Sequence, residues 1–156
     1  MSIGSNAFEV CKCITSITIP DGVTEIGKSA FKMCISLKDI KIPDSVTSIG
    51  DSAFYSCKKL NTFVFPAGVT TISANLLGSC LALTGIFIPS TITSIGSRAF
   101  DSCKKLVEVI IPDSVTMLSE TPFKYCPNTK FSIPKHLESF IDQFPDENLV
   151  TVREDV

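Results

Sequence analysis

The sequence predicts a strand-dominated α/β solenoid in which short coils of one repeated unit are stacked. Six cysteines recur at intervals of 23 residues: Cys11, Cys34, Cys57, Cys80, Cys103 and Cys126. A large apolar residue stands three positions before each of them: Phe8, Phe31, Phe54, Leu77, Phe100 and Phe123. A fixed period of this length indicates a repeated structural unit and not a reactive site.

Five complete copies of the unit align along the chain. They span residues 14–36, 37–59, 60–82, 83–105 and 106–128, here numbered repeats 1 to 5. Residues 1–13 match the second half of a unit, which indicates either a piece of a longer chain or a native start whose end is covered. After Cys126 the register slips by one residue, because Ile133 and Pro134 arrive early. We therefore expect a single domain over 1–156, with a degenerate repeat and a C-terminal cap at 129–156.

Each unit opens with a predicted strand. Apolar residues occupy unit positions 1, 4 and 6, as in Leu106, Val109 and Ile111, and positions 4 and 6 share one face of a strand. Proline follows at position 7 of all five repeats, where its missing N–H ends the ladder. Equivalent strands of stacked coils lie about 4.8 Å apart. The sequence thus predicts a continuous parallel sheet on one side of the stack.

The rest of the unit predicts a second short strand and a tight turn. Segments such as Val23 to Ile26 alternate apolar and polar residues, which favours an extended chain. Residues 52–57 are long enough for only one or two helical turns, with Phe54 and Cys57 on the same side. The inward face of such a coil can be covered only by neighbouring coils, so stacking is obligatory.

Residues 135–156 predict the C-terminal cap. Four apolar residues follow helical spacing: Leu137, Phe140, Ile141 and Phe144. This spacing predicts a short amphipathic helix. Residues 149–152 predict one more strand, which the charged residues Arg153, Glu154 and Asp155 end. Such a cap protects the open edge of the sheet from adventitious pairing.

Composition and charge exclude several function classes. Hydrophobic residues make up 44% and charged residues 19% of the chain, which is typical of an ordered, soluble protein. The formal net charge is −2 and the lysine pairs at 58–59 and 104–105 form no continuous basic track, so we expect no nucleic-acid partner. No apolar run approaches the ~20 residues of a membrane span. We expect no signal peptide in this chain, because Met1 is followed at once by a repeat fragment without a basic segment or a long apolar run.

The sequence offers no catalytic, cofactor or metal motif. A phosphate loop, paired carboxylates and an HExxH segment are all missing, and the single histidine, His136, has no nucleophile beside it. Cys11 and Cys13 form a CxC pair, which is a poor zinc pattern without further ligands. Disulfides between equivalent cysteines are disfavoured, because stacked strands lie about 4.8 Å apart and disulfide Cβ atoms need about 3.8 Å. We expect a non-enzyme without cofactor or metal, whose periodic cysteines are buried thiols; the role of Cys13 stays open.

The unit LxxIxIPxxVTxIGxxAFxxCxx resembles the leucine-rich repeat of the BspA-like type. The resemblance covers residues 1 to about 134, and it departs from the pattern where Leu76-Leu77 and Pro122-Phe123 replace Ala-Phe. It implies a curved solenoid carried by secreted or cell-surface proteins of microbes, which act in adhesion and in binding host or matrix proteins. It carries over no catalytic residue. The cytoplasm is the alternative location, since the cysteines are compatible with either compartment.

The outward residues of the first strand, at unit positions 2, 3 and 5, are the candidate binding surface. Position 5 becomes apolar along the stack in Val64, Phe87 and Ile110, and Gly85 leaves bare backbone beside Phe87. We predict that these three apolar residues form the centre of a protein-binding surface. The predicted rim is polar: Lys38, Lys41, Asn61 and Glu108. The same residues would also suit a sheet with no partner, or an oligomer contact.

Three functions are compatible with these features. The preferred function is a protein-interaction or adhesion module that binds through the concave sheet. A structural spacer between other domains and an intracellular recognition scaffold are the alternatives. The sequence does not identify the partner or the oligomeric state.

Overall fold

A computed structural model describes residues 1–154 as a parallel β-solenoid of about seven turns, so the predicted strand-dominated solenoid is confirmed. Asp155, predicted to end the last strand, lies outside the described residues. The strands, numbered in chain order, are β1 (Ser2–Ile3), β2 (Ser16–Thr18), β3 (Glu25–Ile26), β4 (Asp39–Lys41), β5 (Ser48–Ile49), β6 (Thr71–Ile72), β7 (Ser94–Ile95), β8 (Glu108–Ile110), β9 (Met117–Leu118), β10 (Lys130–Pro134) and β11 (Val150–Arg153). Two 3-10 helices, Lys135–Gln143 and Glu147–Leu149, lie between β10 and β11.

The strands form two columns on different sides of the coil. The first-strand column contains β2, β4, β8, β10 and β11, and the second-strand column contains the other six strands. Paired residues of the complete repeats lie 23 positions apart, as in the pairing of Ser16 with Asp39. The predicted slip after Cys126 is confirmed, because Lys130 pairs with Glu108, which is 22 positions earlier.

The first-strand column is interrupted, which corrects the prediction of a continuous sheet. Residues 61–65 form no strand, and the pairing of residues 84–88 is reduced to one bridge between Gly85 and Glu108. Repeat 3 has Phe63 and Phe65 at its two inward strand positions, where other repeats have aliphatic residues. The two rings pack edge to face with their centroids 5.0 Å apart, so the loss of the ladder in this repeat coincides with aromatic residues at both inward positions.

The second-strand column is broken once, between β5 and β6. At this break the Ile49 carbonyl accepts a hydrogen bond from the Ser73 hydroxyl at 2.5 Å. In repeat 4 the equivalent bond comes from a main-chain amide, since Gly96 N donates to the Ile72 carbonyl at 2.7 Å. A side-chain donor therefore replaces the main-chain donor where the ladder is lost.

The third side of each coil consists of stacked turns, where the sequence predicted one-turn helices. Two non-glycine residues in every complete repeat adopt a left-handed conformation; in repeat 2 they are Ser52 (φ 57°) and Ser56 (φ 60°). Each costs about 1 kcal/mol. Stacking offsets this cost, because the turn amides bond to the next repeat: Phe54 N donates to the Leu76 carbonyl at 3.0 Å.

Aromatic rings form a column in the core. Three pairs of rings stack with nearly parallel planes, Phe8 with Phe31, Phe31 with Phe54 and Phe100 with Phe123, at centroid distances of 5.2, 5.3 and 5.0 Å. Leu77 interrupts the column in repeat 3. In the same repeat the edge of Phe63 meets the Phe54 ring at 5.2 Å. Repeat 3 thus has its aromatic rings on the strand side of the coil, where neighbouring repeats have them in the turn.

The periodic cysteines form a second column beside the rings. Five are almost completely buried: Cys34, Cys57, Cys80, Cys103 and Cys126. All seven cysteines are free thiols. Each of the five buried thiols donates a hydrogen bond to a main-chain carbonyl 26 residues earlier, at 3.1 to 3.4 Å. Burial raises the pKa of all five thiols, to about 12 for Cys57 and Cys126.

The C-terminal cap closes the last repeat. The predicted amphipathic helix forms as a 3-10 helix, and Phe144 at its end packs on Phe131 with ring centroids 4.8 Å apart. His136 is exposed, as predicted, and its Nε2 atom lies 2.8 Å from the main-chain carbonyl oxygen of Val115 in repeat 5. The predicted last strand is present as β11, and its Arg153 forms an ion pair with Asp113 at 2.7 Å.

Candidate functional site

The first-strand face is the outward surface formed by unit positions 2, 3 and 5 of repeats 1 to 5. All fifteen of its residues are exposed. The predicted apolar centre is exposed to an unusual degree, since Val64, Phe87 and Ile110 are 74%, 78% and 56% accessible. The inward neighbours Phe63 and Val109 are buried at 5% and 0%. The alternation predicted from strand periodicity therefore holds even where no strand ladder forms.

Phe87 and Ile110 line a cleft of about 650 Å³ between repeats 4 and 5. Glu108 lines the same cleft, so three of the predicted site residues come together there. Val107 and Pro112 add to its largely apolar wall. A volume in this range can hold a large side chain or a short peptide segment.

The other predicted site residues lie outside this cleft. Val64 and Asn61 are exposed on the unpaired segment of repeat 3. Lys41 and Lys38 are exposed on repeat 2, at the end of the apolar stripe. They extend the same face without lining the cleft, so the predicted surface divides into residues that line the cleft and residues that lie beside it.

Val107 belongs to the cleft but was not among the predicted site residues. It is 63% exposed and follows Leu106 at unit position 2. The sequence does contain a signal for it, because position 2 is threonine, lysine, asparagine and threonine in repeats 1 to 4 and becomes apolar only in repeat 5. Met117 is a further exposed apolar residue, at 61%, but it lies on the second-strand column.

A second cleft of about 460 Å³ lies between the turn of repeat 5 and the cap. Its exposed aromatic residue is Tyr125. The ammonium group of Lys124 lies 4.9 Å from the centroid of that ring, in cation–π geometry. The cation that faces the ring thus comes from the same chain. This cleft contains none of the predicted binding-site residues.

Within residues 1–154 no three His, Cys, Asp or Glu side chains are grouped as a metal ion would require. Cys13 is exposed and stands outside the cysteine column. No helix in this part of the chain is long and apolar enough to cross a bilayer.

Residues 1–130 match the family model of the BspA type leucine rich repeat region, in six copies. The chain therefore belongs to this family, whose repeats are typical of protein-interaction modules. No protein in the curated set matches the sequence.

The fold is similar to those of solved bacterial leucine-rich repeat proteins. A leucine rich repeat protein of T. pallidum is 31% identical, with a TM-score of 0.80 over 85% of this chain and 61% of its own. A leucine rich cell surface protein from Faecalibacterium prausnitzii is 36% identical, with a TM-score of 0.78 over 85% of this chain and 36% of its own. A leucine-rich repeat protein from Bacteroides ovatus, 24% identical, shares the fold, with a TM-score of 0.80 over 99% of this chain and 45% of its own. This chain therefore spans less than two thirds of each of these proteins.

Proposed function

We propose that the chain is a non-catalytic protein-interaction module that binds a partner protein through the first-strand face, with Phe87 at the centre. The carrying observation is the 78% exposure of Phe87 at the edge of an apolar cleft. A phenyl side chain that loses ~150 Å² of apolar surface on binding contributes about 3–4 kcal/mol before association costs. A buried aromatic anchor of this kind is typical of binding hot spots.

The partner in this proposal is a host or matrix protein, and the module acts at a microbial cell surface. The name of the Faecalibacterium prausnitzii neighbour, a cell surface protein, supports this location. Membership of the BspA type family supports a protein partner. Protease treatment of intact producing cells tests the location, because a surface module is cleaved while a cytosolic marker stays whole.

The binding proposal is tested with immobilised chain and a panel of purified extracellular-matrix proteins. Wild-type chain should retain at least one member of the panel at saturable, stoichiometric levels. Phe87→Asp should weaken that interaction by more than about tenfold, because it removes the apolar ring at the centre of the contact. The fold should survive, since the Phe87 side chain packs in no core position.

Met117→Asp is the matched control for this substitution. Met117 is an exposed apolar residue on the other strand column, so the same change of chemistry occurs away from the proposed face. The control should bind as the wild type does. Full binding by Phe87→Asp, or equal loss in both variants, would contradict a binding site on the first-strand face.

A further inference from the structure

Glu108 is the charged residue that lines the cleft beside Phe87. In the part of the chain that the structure describes, its carboxylate has neither an ion-pair partner nor a hydrogen-bond partner. The ion pairs found there join Lys32 with Glu9, Lys135 with Glu138 and Arg153 with Asp113. A carboxylate in an apolar cleft that binding would desolvate favours a ligand with a positive charge.

Gly85 leaves open space next to this carboxylate. Gly85 and Glu108 lie side by side in parallel register, because they form the bridge between repeats 4 and 5. A Cβ atom built on Gly85 would meet no atom within 4 Å. The equivalent positions of repeats 1 to 3 carry the side chains of Ser16, Asp39 and Thr62. Unit position 3 thus has a side chain in repeats 1, 2, 3 and 5, and it is vacant only in repeat 4, beside Glu108.

Phe87 and Ile110 supply the apolar part of the same site. Phe87 lies two residues beyond Gly85, and Ile110 lies two residues beyond Glu108, so each apolar residue is on the same side of its chain as the residue two positions before it. A ligand that enters the gap at Gly85 therefore meets a carboxylate and an aromatic ring together.

From this arrangement we infer that the cleft takes an arginine side chain of the partner protein. This inference rests on the proposed function and adds the chemistry of the partner's anchor. The aliphatic stem packs on Ile110, while the guanidinium group lies on the Phe87 ring and bonds to the Glu108 carboxylate. Arginine fits better than lysine, since its planar fork both stacks on an aromatic face and pairs with a carboxylate through two hydrogen bonds.

The test uses defined peptides and isotope-labelled chain. The probe is the blocked pentapeptide Gly-Leu-Arg-Leu-Gly, and its matched control replaces arginine with citrulline, which keeps the shape and removes the charge. Titration is followed by ¹⁵N–¹H NMR. The arginine peptide should shift the amide signals of Gly85, Phe87 and Glu108 saturably, and the citrulline peptide should bind at least about fivefold more weakly.

Variants assign the effect to the carboxylate. Glu108→Gln should weaken binding of the arginine peptide by about fivefold or more and leave the citrulline peptide unchanged. Asp39→Asn is the control, because Asp39 is an exposed acid at the same unit position three repeats away and should not affect binding.

Four outcomes would overturn the inference. Equal binding of both peptides would show that charge is not recognised, and an unaffected Glu108→Gln variant would remove the carboxylate from the site. Sedimentation velocity could also show that the chain forms a dimer. If Phe87→Asp dissociates this dimer and the arginine peptide does not, a second copy of the chain occupies the cleft. If neither peptide binds while capture of a matrix protein still depends on Phe87, the proposed function is supported and the inference of an arginine anchor is contradicted.

Discussion

Removing one sulfur atom from the cysteine column should measurably destabilise the solenoid. In Cys103→Ala the change falls on a side chain with 0% exposure, whose thiol donates to the Leu77 carbonyl at 3.1 Å. Losing the buried sulfur costs about 1 kcal/mol in transfer free energy. The cavity adds about 0.5 kcal/mol at ~24 cal/mol per Å³, and the weak hydrogen bond adds roughly 0.5 kcal/mol. The expected loss is therefore about 2 kcal/mol.

The loss should not be much larger, because the carbonyl keeps another partner. The amide of Cys80 also donates to the Leu77 oxygen, at 3.2 Å, so the substitution leaves no orphaned acceptor. The assay is urea unfolding followed by far-UV circular dichroism in a reducing buffer, with the slope of free energy against urea compared between variants.

Cys13→Ala is the control, since Cys13 is exposed and outside the column. It should change the free energy of unfolding by less than about 0.5 kcal/mol. The reasoning is refuted if Cys103→Ala also changes the free energy of unfolding by less than about 0.5 kcal/mol while the slope of free energy against urea stays the same. The cysteine column would then contribute neither packing nor hydrogen bonding to stability.

Three further predictions concern the thiols, the close approach of repeats and the core of repeat 3. The five buried thiols have a higher pKa in the folded chain than in the unfolded chain, so their contribution to the free energy of unfolding should be constant below the unfolded thiol pKa of about 8.5 and should fall as the pH rises towards about 12. The fall should be shallower in Cys103→Ala, which has one thiol fewer. Alkylation of the native chain, measured by mass spectrometry, should label Cys13 before any of the five. Gly50→Ala should lower the free energy of unfolding in urea by about 1–3 kcal/mol, because its Cβ would lie 2.5 Å from a main-chain nitrogen of repeat 1. Gly85→Ala should leave this free energy unchanged or raise it by up to about 1 kcal/mol, because its Cβ would meet no atom within 4 Å. Leu77→Phe alone should cost about 1–3 kcal/mol by overpacking, and adding Phe63→Ile should recover most of it; simple additivity in the double-mutant cycle would contradict exchange of volume within repeat 3.

The register of the repeats could be read from the sequence because it depends on local pattern. Each unit repeats the same inward residues, proline and turn. Aligning the cysteines therefore assigns all the remaining residues their positions in the unit. The exposure of Phe87 followed from the alternation of side chains along an extended segment. That alternation needs no partner strand, which is why the prediction holds where the ladder is missing.

The interruption of the sheet could not be read in the same way. It falls at repeat 3, where Phe63 packs on the Phe54 ring of repeat 2 and on Phe65 of its own repeat, so that side-chain volumes of two repeats meet there. The hydrogen bonds of the buried thiols are also non-local, since each acceptor lies 26 residues earlier. A pattern of residue types within one unit carries no record of either contact.

For the candidate site, the amino-acid sequence by itself determined which residues point outward and that the stripe turns apolar from Val64 onwards. Only the tertiary structure decided that Phe87, Ile110 and Glu108 share one cleft and that Val64 stands apart from it. The physical reason is that a cleft needs residues of different repeats to meet across the stack, here Phe87 and the open space at Gly85 from repeat 4 with Ile110 and Glu108 from repeat 5.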